Sequence, residues 1–388
     1  MQKDTLSSPL NLVLKLAEFF SLENRFPETK HHLTVRGFIK NFLRRLGDVK
    51  NQTFEYTLYK PTWVEVKTNL STFKGLPYTN SKGGNFYGEI IDCGFGTYSE
   101  LLKCKPKNKI VLIKEGKLPY RKKEELLYRL GAKGVLVYRE EVDDFYAGIS
   151  AGLLPTIAVK KSSLIGPLGW VKANIKLKKV KLRGENIWLE FGNNKAQHIL
   201  TLIAHYDTKP YTKGAIDNAL SVAILLWLAA IYSKDKIYRP YRVRFLFTDA
   251  EEFGLLGAKF FVNTLSEREL INSFVISVDT VGWHNPAILI GDAEGKSDQY
   301  FVERLEKFLN FLRIRKEFTF TYGRSGRSDH IPFREKGAKT LFFASNPFPF
   351  RHTSLDTYSI IVPRIVKLWM FLLRNLVKNF HKMGRKEL

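Results

Sequence analysis

Cysteine is nearly absent: Cys93 and Cys104 are the only two in 388 residues. One bridge cannot frame a chain of this length, which excludes a disulfide-stapled scaffold. The two read as free, partly buried thiols in a reducing compartment. Acidic side chains are outnumbered, 38 Asp+Glu against 62 Lys+Arg, and the formal net charge is +24. Membrane-length apolar runs are missing as well. The longest, Ala219 to Tyr232, has about 14 residues where a span needs roughly 20. The run Leu368-Trp-Met-Phe-Leu-Leu is shorter and basic at both ends, so it reads as a helix docked on the core, with membrane-surface contact the lesser alternative. No repeat or low-complexity segment occurs. Near the N-terminus Lys15 and Glu18 break the apolar stretch Leu10–Phe20 at helical spacing, so it reads as an amphipathic helix and not a signal segment. A cytoplasmic protein is expected.

What is present is globular: 44% hydrophobic and 26% charged residues, in a chain long enough for two domains. The basic excess is spread along the chain, with Lys172–Arg183 and Arg374–Lys386 the nearest approaches to clusters. It reads as a solvated basic surface without a specific nucleic-acid site. With few Cys and three Met, it also suits a protein from a hot environment.

Residues 8–22 and 33–46 are expected to be helices, the second capped by Thr34. Phe54–Tyr59 and Trp63–Thr68 alternate like strands around Lys60-Pro61. Gly75 to Gly88 is expected to be a loop and a boundary. From 86 to 178 short apolar runs separated by turns predict a small β-rich domain. After 185 the rhythm is α/β. Strands are expected at 187–191, 198–204, 243–247, 274–278 and 340–344, and helices near 218–232, 255–264, 297–312, 330–336 and 361–378. Apolar strands alternating with helices imply a sheet covered on both faces. The expected division is 1–70, 71–180 and 181–388, with the middle part inserted.

Acidic and histidine residues sit just past four of these strands: His205-Tyr-Asp207, Asp249-Ala-Glu251-Glu252, Asp279 and His352. If the strands are parallel, all four groups share one sheet edge, where open α/β sheets place their sites. Asp217, in Gly214-Ala-Ile-Asp-Asn-Ala, precedes the apolar helix, whose N-terminus favours its charge. Two His and three carboxylates are a donor mix that suits zinc. A pair of ions needs a shared oxygen ligand, and Asp217 is the candidate bridge. Of the adjacent pair, Glu252 would ligate while Glu251 faces the attacking water as general base. Asp207 can hold the other ring nitrogen of His205. Each piece alone is more often structural; their joint placement carries the reading.

Taken in order, His205-Tyr-Asp207, Gly214-Ala-Ile-Asp217-Asn-Ala, Asp249-Ala-Glu251-Glu252-Phe-Gly-Leu-Leu-Gly257, Ser277-Val-Asp279-Thr-Val-Gly282, Ser328-Asp-His330 and His352-Thr-Ser-Leu-Asp356 resemble the motifs of metallopeptidase family 28, the co-catalytic zinc aminopeptidases. The resemblance covers most of 185–388. It implies an α/β/α sandwich around a mixed, mostly parallel sheet, and two zinc ions, with cobalt or manganese as substitutes. One zinc would be held by His205, Asp217 and Asp279, the other by Asp217, Glu252 and His352. Glu251 would pass the water's proton to the leaving amine of a peptide with a free N-terminus. Tyr87–Gly96, Lys109–Ile113 and Leu130–Tyr138 resemble the protease-associated domain inserted in such peptidases, whose implied role is lidding the site or contacting substrate or partners. A homo-oligomer stays open. Some members place an oxyanion tyrosine where this chain has Ser325; Tyr322, Arg324 and Arg327 are the candidates to replace it, and a flexible Gly/Ser/Arg loop with no catalytic role is the alternative. Asp329 and His330 read as supports of the site, while Ser328-Asp329 also reads as an ordinary helix cap. Asn346–Thr353 together with Asp279–Pro286 is similar to glutaminyl cyclases, single-zinc acyltransferases on the same fold. A non-catalytic binding protein of that fold is the third reading.

Overall fold

A computed structural model describes residues 8–383 apart from 165, 167–168, 194, 235–240, 291–298 and 323–325. Helices α1 (Pro9–Phe20) and α2 (Lys30–Arg44) lead into the long strand β1 (Val49–Pro61). Next come β2 (Val64–Thr68), β3 (Thr72–Pro77), β4 (Gly84–Asp92), α3 (Tyr98–Cys104), β5 (Ile110–Lys114), α4 (Tyr120–Arg129), β6 (Gly134–Tyr138), β7 (Thr156–Ala158) and β8 (Trp170–Ile175). The chain returns through β9 (Leu177–Phe191) and continues as β10 (His198–His205), α5 (Leu220–Lys234), β11 (Tyr241–Thr248), α6 (Leu256–Val262), α7 (Glu267–Ile271), β12 (Ser273–Val278) and β13 (Pro286–Ile290). It ends with α8 (Gln299–Phe311), β14 (Thr319–Tyr322), α9 (His330–Glu335), β15 (Lys339–Ser345) and α10 (Pro363–Met383).

Eight strands form one mixed sheet in the order β1-β9-β11-β10-β12-β15-β13-β14, and β2 to β8 close into a barrel. At the centre β11, β10, β12 and β15 run parallel, so their carboxyl ends share an edge. Their near-continuous apolar sequences follow from burial on both faces; in β10 every residue after His198 is buried. Helix α5 is buried from Leu220 to Ala229, each Leu or Ile contributing about 1.5–3 kcal/mol. With the turn before it, Ala215–Lys234 is the one helix among the described residues long and apolar enough to cross a membrane, yet most of its apolar window lies inside the fold. Val13, Ala17 and Phe20 of α1 and Trp369, Leu372 and Leu373 of α10 share its core.

Three expectations need correction. Cys93 and Cys104 are not free; they form a disulfide with Cα atoms 5.5 Å apart, bridging the end of β4 to the end of α3. Helix α2 starts earlier than expected: Thr29 caps it by accepting from His32 N, while Thr34 Oγ1 donates back to Lys30 O inside the helix. The stretch Gly75–Gly88 is not a continuous loop but contains the second half of β3 and the start of β4. Gly75 is there for close approach: a Cβ would lie 2.5 Å from Ile157 and 2.8 Å from Val66.

Candidate metal centre

The parallel strands deliver their terminal residues to one place. His205 ends β10, Asp279 follows β12, and the turn after β11 carries Glu251 and Glu252. Ala250 takes a left-handed conformation (φ 56°) as that turn starts, which sets the two glutamates off the strand axis. His352 follows β15 and is also left-handed (φ 61°). Asp217 lies in the tight turn Ala215–Ala219 before α5.

Two groups of donor atoms result, each with its members within 4.8 Å of one another: His205, Asp217 and Asp279, and Asp217, Glu252 and His352. His205 Nε2 is 3.2 Å from Asp217 Oδ1 and 3.6 Å from Asp279 Oδ1. His352 Nε2 is 2.9 Å from Glu252 Oε2 and 3.4 Å from Asp217 Oδ2. Asp217 thus turns one oxygen to each group, as a bridging carboxylate must. The donors fit divalent cations. Asp217, Glu251, Glu252 and Asp279 are all buried, and Glu252 Oε1 and Asp279 Oδ1 are buried without a hydrogen-bond partner. So many enclosed carboxylates demand compensating positive charge. Histidine and carboxylate donors match a borderline ion such as zinc.

Electrostatics separate the carboxylates. Burial pushes Glu251 well above the usual carboxylate range, with Asp329, Glu252 and Asp279 adding to the push against His205. Asp217 stays below that range: burial opposes its charge, but hydrogen bonds from His205 and His352 outweigh it. Glu252 is likewise lowered, chiefly by His352 against burial, whereas Asp207, Asp329 and Asp356 are raised by burial as Glu251 is.

A profile of Peptidase family M28 matches residues 186–377. The aminopeptidase YwaD of Bacillus subtilis (strain 168) is 30% identical over 285 residues, 69% of this chain and 61% of that relative's length. The chain belongs to Peptidase family M28. BSAP, described as a zinc aminopeptidase from Bacillus subtilis, shares the fold over 96% of this chain and 94% of its own, with a TM-score of 0.75 at 22% identity. A glutaminyl cyclase from Porphyromonas gingivalis is a more distant fold relative, with a TM-score of 0.55 at 14% identity over 96% of this chain and 97% of its own.

Around the family's motifs the structure draws in residues that the sequence reading missed or read differently. Asp207 lies 3.5 Å from His205 Nδ1 by its carboxylate, but its backbone oxygen is nearer, at 3.2 Å. The carboxylate's main work is elsewhere: Oδ1 accepts from Glu251 N (3.1 Å) and Oδ2 from Glu252 N (3.2 Å), holding the turn of the paired glutamates. Ser328 is not a cap: its Oγ donates to Asp279 Oδ2 at 2.7 Å. Asp329 makes no side-chain cap bond either; it accepts from Thr248 Oγ1 under the site, and burial pushes it up to about 7. His330 is buried against Phe342 and pushed down to about 3, by burial first. Asp356, four residues past His352, accepts from Ile216 N and Asp217 N at 2.8 and 3.0 Å. Arg25, from the α1–α2 connection and fully buried, donates to Tyr206 O, Lys213 O and Gly214 O, tying the His205 strand end to the Asp217 turn. Lys209 is buried with Nζ on Glu252 O and 3.5 Å from Glu252 Oε2. Of the oxyanion candidates, Tyr322 is 56% exposed, Arg327 is exposed, and Arg324 lies outside the described residues; neither described side chain is brought to the donor groups.

Proposed function

We propose that the chain is a zinc-dependent aminopeptidase that removes N-terminal residues from peptides. The observation that carries this reading is Asp217, whose two oxygens face two separate donor groups. Two ions are therefore proposed, one at His205, Asp217 and Asp279 and one at Asp217, Glu252 and His352. An ion held by these residues would supply Lewis-acid polarisation of the scissile carbonyl and a lowered pKa for an attacking water. Glu251 takes that water's proton and returns it to the leaving amine, a role its raised affinity for protons suits. Asp207 keeps Glu251 and Glu252 on their separate tasks by holding both backbone N–H groups. Ser328 commits one oxygen of Asp279 and leaves Oδ1 for the ion.

The chain is further read as an M28 catalytic unit, 1–70 with 181–388, interrupted at 71–180 by a protease-associated-like insert that supplies β3 to β8 of the closed barrel, its remaining strand β2 coming from the stretch just before. A cytoplasmic enzyme of a hot environment is also proposed, on the Lys/Arg-rich composition; the Cys93–Cys104 bond removes the free-thiol argument for a reducing compartment. The aminopeptidase reading requires a free substrate amine. Matched peptides with free and acetylated N-termini test it with the zinc-loaded protein: only the free form should be shortened. Equal cleavage of both would replace the aminopeptidase with an endopeptidase or a carboxypeptidase.

A further inference from the structure

The barrel reaches the metal centre. Between β6 and β7 it sends out the segment Arg139–Gly148, which grips the loop carrying His352 on both sides. Arg139 Nη1 donates to Pro349 O at 2.5 Å and to Arg351 O at 3.2 Å. Ala147 N donates to His352 O at 2.9 Å. Asp144 Oδ2 accepts from Ser354 N at 2.8 Å and from Ser354 Oγ at 2.6 Å. In the middle of these contacts the hydroxyl of Tyr146, a buried residue, lies 3.2 Å from His352 Nδ1, with the two rings 5.4 Å apart between centroids.

We infer that Tyr146 of the barrel is a positioning residue for the metal site, orienting His352 so that Nε2 faces the Glu252 and Asp217 oxygens. The inference rests on the two-ion reading above. A histidine that ligates through Nε2 carries its proton on Nδ1, and that N–H needs an acceptor to fix the tautomer and the ring plane. Tyr146 Oη is in place to accept it. His205 solves the same problem inside the catalytic unit, with Nδ1 against Asp207 O. The two histidines are thus oriented by different parts of the molecule: His205 by the sheet and His352 by the barrel. The insert is then a working part of one metal group and not only a cover over both.

Tyr146→Phe separates this role from packing, because it keeps the ring and removes the hydroxyl. Tyr120→Phe is the control: it removes another buried hydroxyl of the barrel, one bonded to Thr156 Oγ1. Zinc content is measured against increasing concentrations of a competing chelator, with melting curves of the metal-free proteins alongside. The expected result is that wild type and Tyr120→Phe hold two equivalents alike. Tyr146→Phe should hold one as before and release the other at roughly 10- to 100-fold lower chelator concentration. Retention of both equivalents by Tyr146→Phe at wild-type affinity overturns the positioning role while leaving the two-ion reading intact. Parallel weakening of both equivalents, matched by Tyr120→Phe, overturns it as a general loss of barrel stability. A wild type that holds a single equivalent overturns the two-ion reading and the inference with it.

Discussion

Glu251 and Glu252 are neighbours in the chain with different surroundings. Glu252 sits 2.9 Å from His352 Nε2 and beside Lys209, and its proton affinity is lowered, against burial, chiefly by His352. Glu251 is raised by burial and nearby carboxylates. Substituting Glu251→Gln should leave two zinc equivalents bound and cut kcat by about 10²- to 10⁴-fold; Glu252→Gln should lower zinc content as well, which metal analysis beside a turnover assay distinguishes. Arg25 is a residue of a different kind. Its guanidinium supplies carbonyl partners on two loops from full burial, with Asp356, Asp207 and Asp217 near enough to favour its charge. Arg25→Ala strands those carbonyls and leaves the carboxylates uncompensated, so chemical unfolding should show a loss of about 3–5 kcal/mol.

Among the elements, the barrel depends on glycine where strands meet closely. At Gly134 of β6 a Cβ would fall 2.4 Å from the Phe86 ring and 3.0 Å from Pro155 O. Gly134→Ala should therefore destabilise by about 1–3 kcal/mol through overpacking, seen as an earlier unfolding transition. The same property explains why Gly75–Gly88 read as a loop: a glycine required by close approach looks, in sequence, like one required by a turn. Strand ends were legible, because β10, β11, β12 and β15 are apolar runs that stop at His205, Asp249, Asp279 and the segment leading to His352. So were the donor residues, whose types declare their chemistry. What was not legible is whatever depends on long-range contact. Tyr146 reaches His352 from 206 positions away in the chain, and Arg25 meets the Asp217 turn from 189 away; neither carries a local pattern. The Asp207 carboxylate points to the glutamate turn because Ala250 reverses the backbone there, a conformation that an alanine does not announce.

For the whole molecule, the metal-free state carries a pH signature. His205 is held above the ordinary 6.5 by Asp279 and Glu251, and His352 by Glu252 and Asp217, in both cases against burial. Glu251 is raised by burial, and burial pushes Asp329 and Asp356 up to about 7. Each of these groups binds its proton more tightly folded than unfolded, so its contribution is full below the unfolded value and is lost as pH rises through the folded one. His330, pushed down to about 3, and His31 and His198, also lowered by burial, act in the opposite sense, but their change is nearly complete about one unit above the unfolded value of 6.5, so the fall dominates above that. The melting temperature of the chelated protein should therefore fall from about pH 7.5 to about 8.5. The zinc-loaded protein should not follow, since its ligands are already deprotonated by the ions.

The proposed metal centre, with Glu251 as base, should trim peptides from their N-termini. Mass spectrometry of a mixed peptide pool, incubated with the zinc-loaded wild type and in parallel with Glu251→Ala, decides this. Stepwise loss of N-terminal residues is expected with the wild type and intact peptides with the variant. Ammonia loss confined to peptides that begin with glutamine, or trimming that persists in Glu251→Ala, would contradict it.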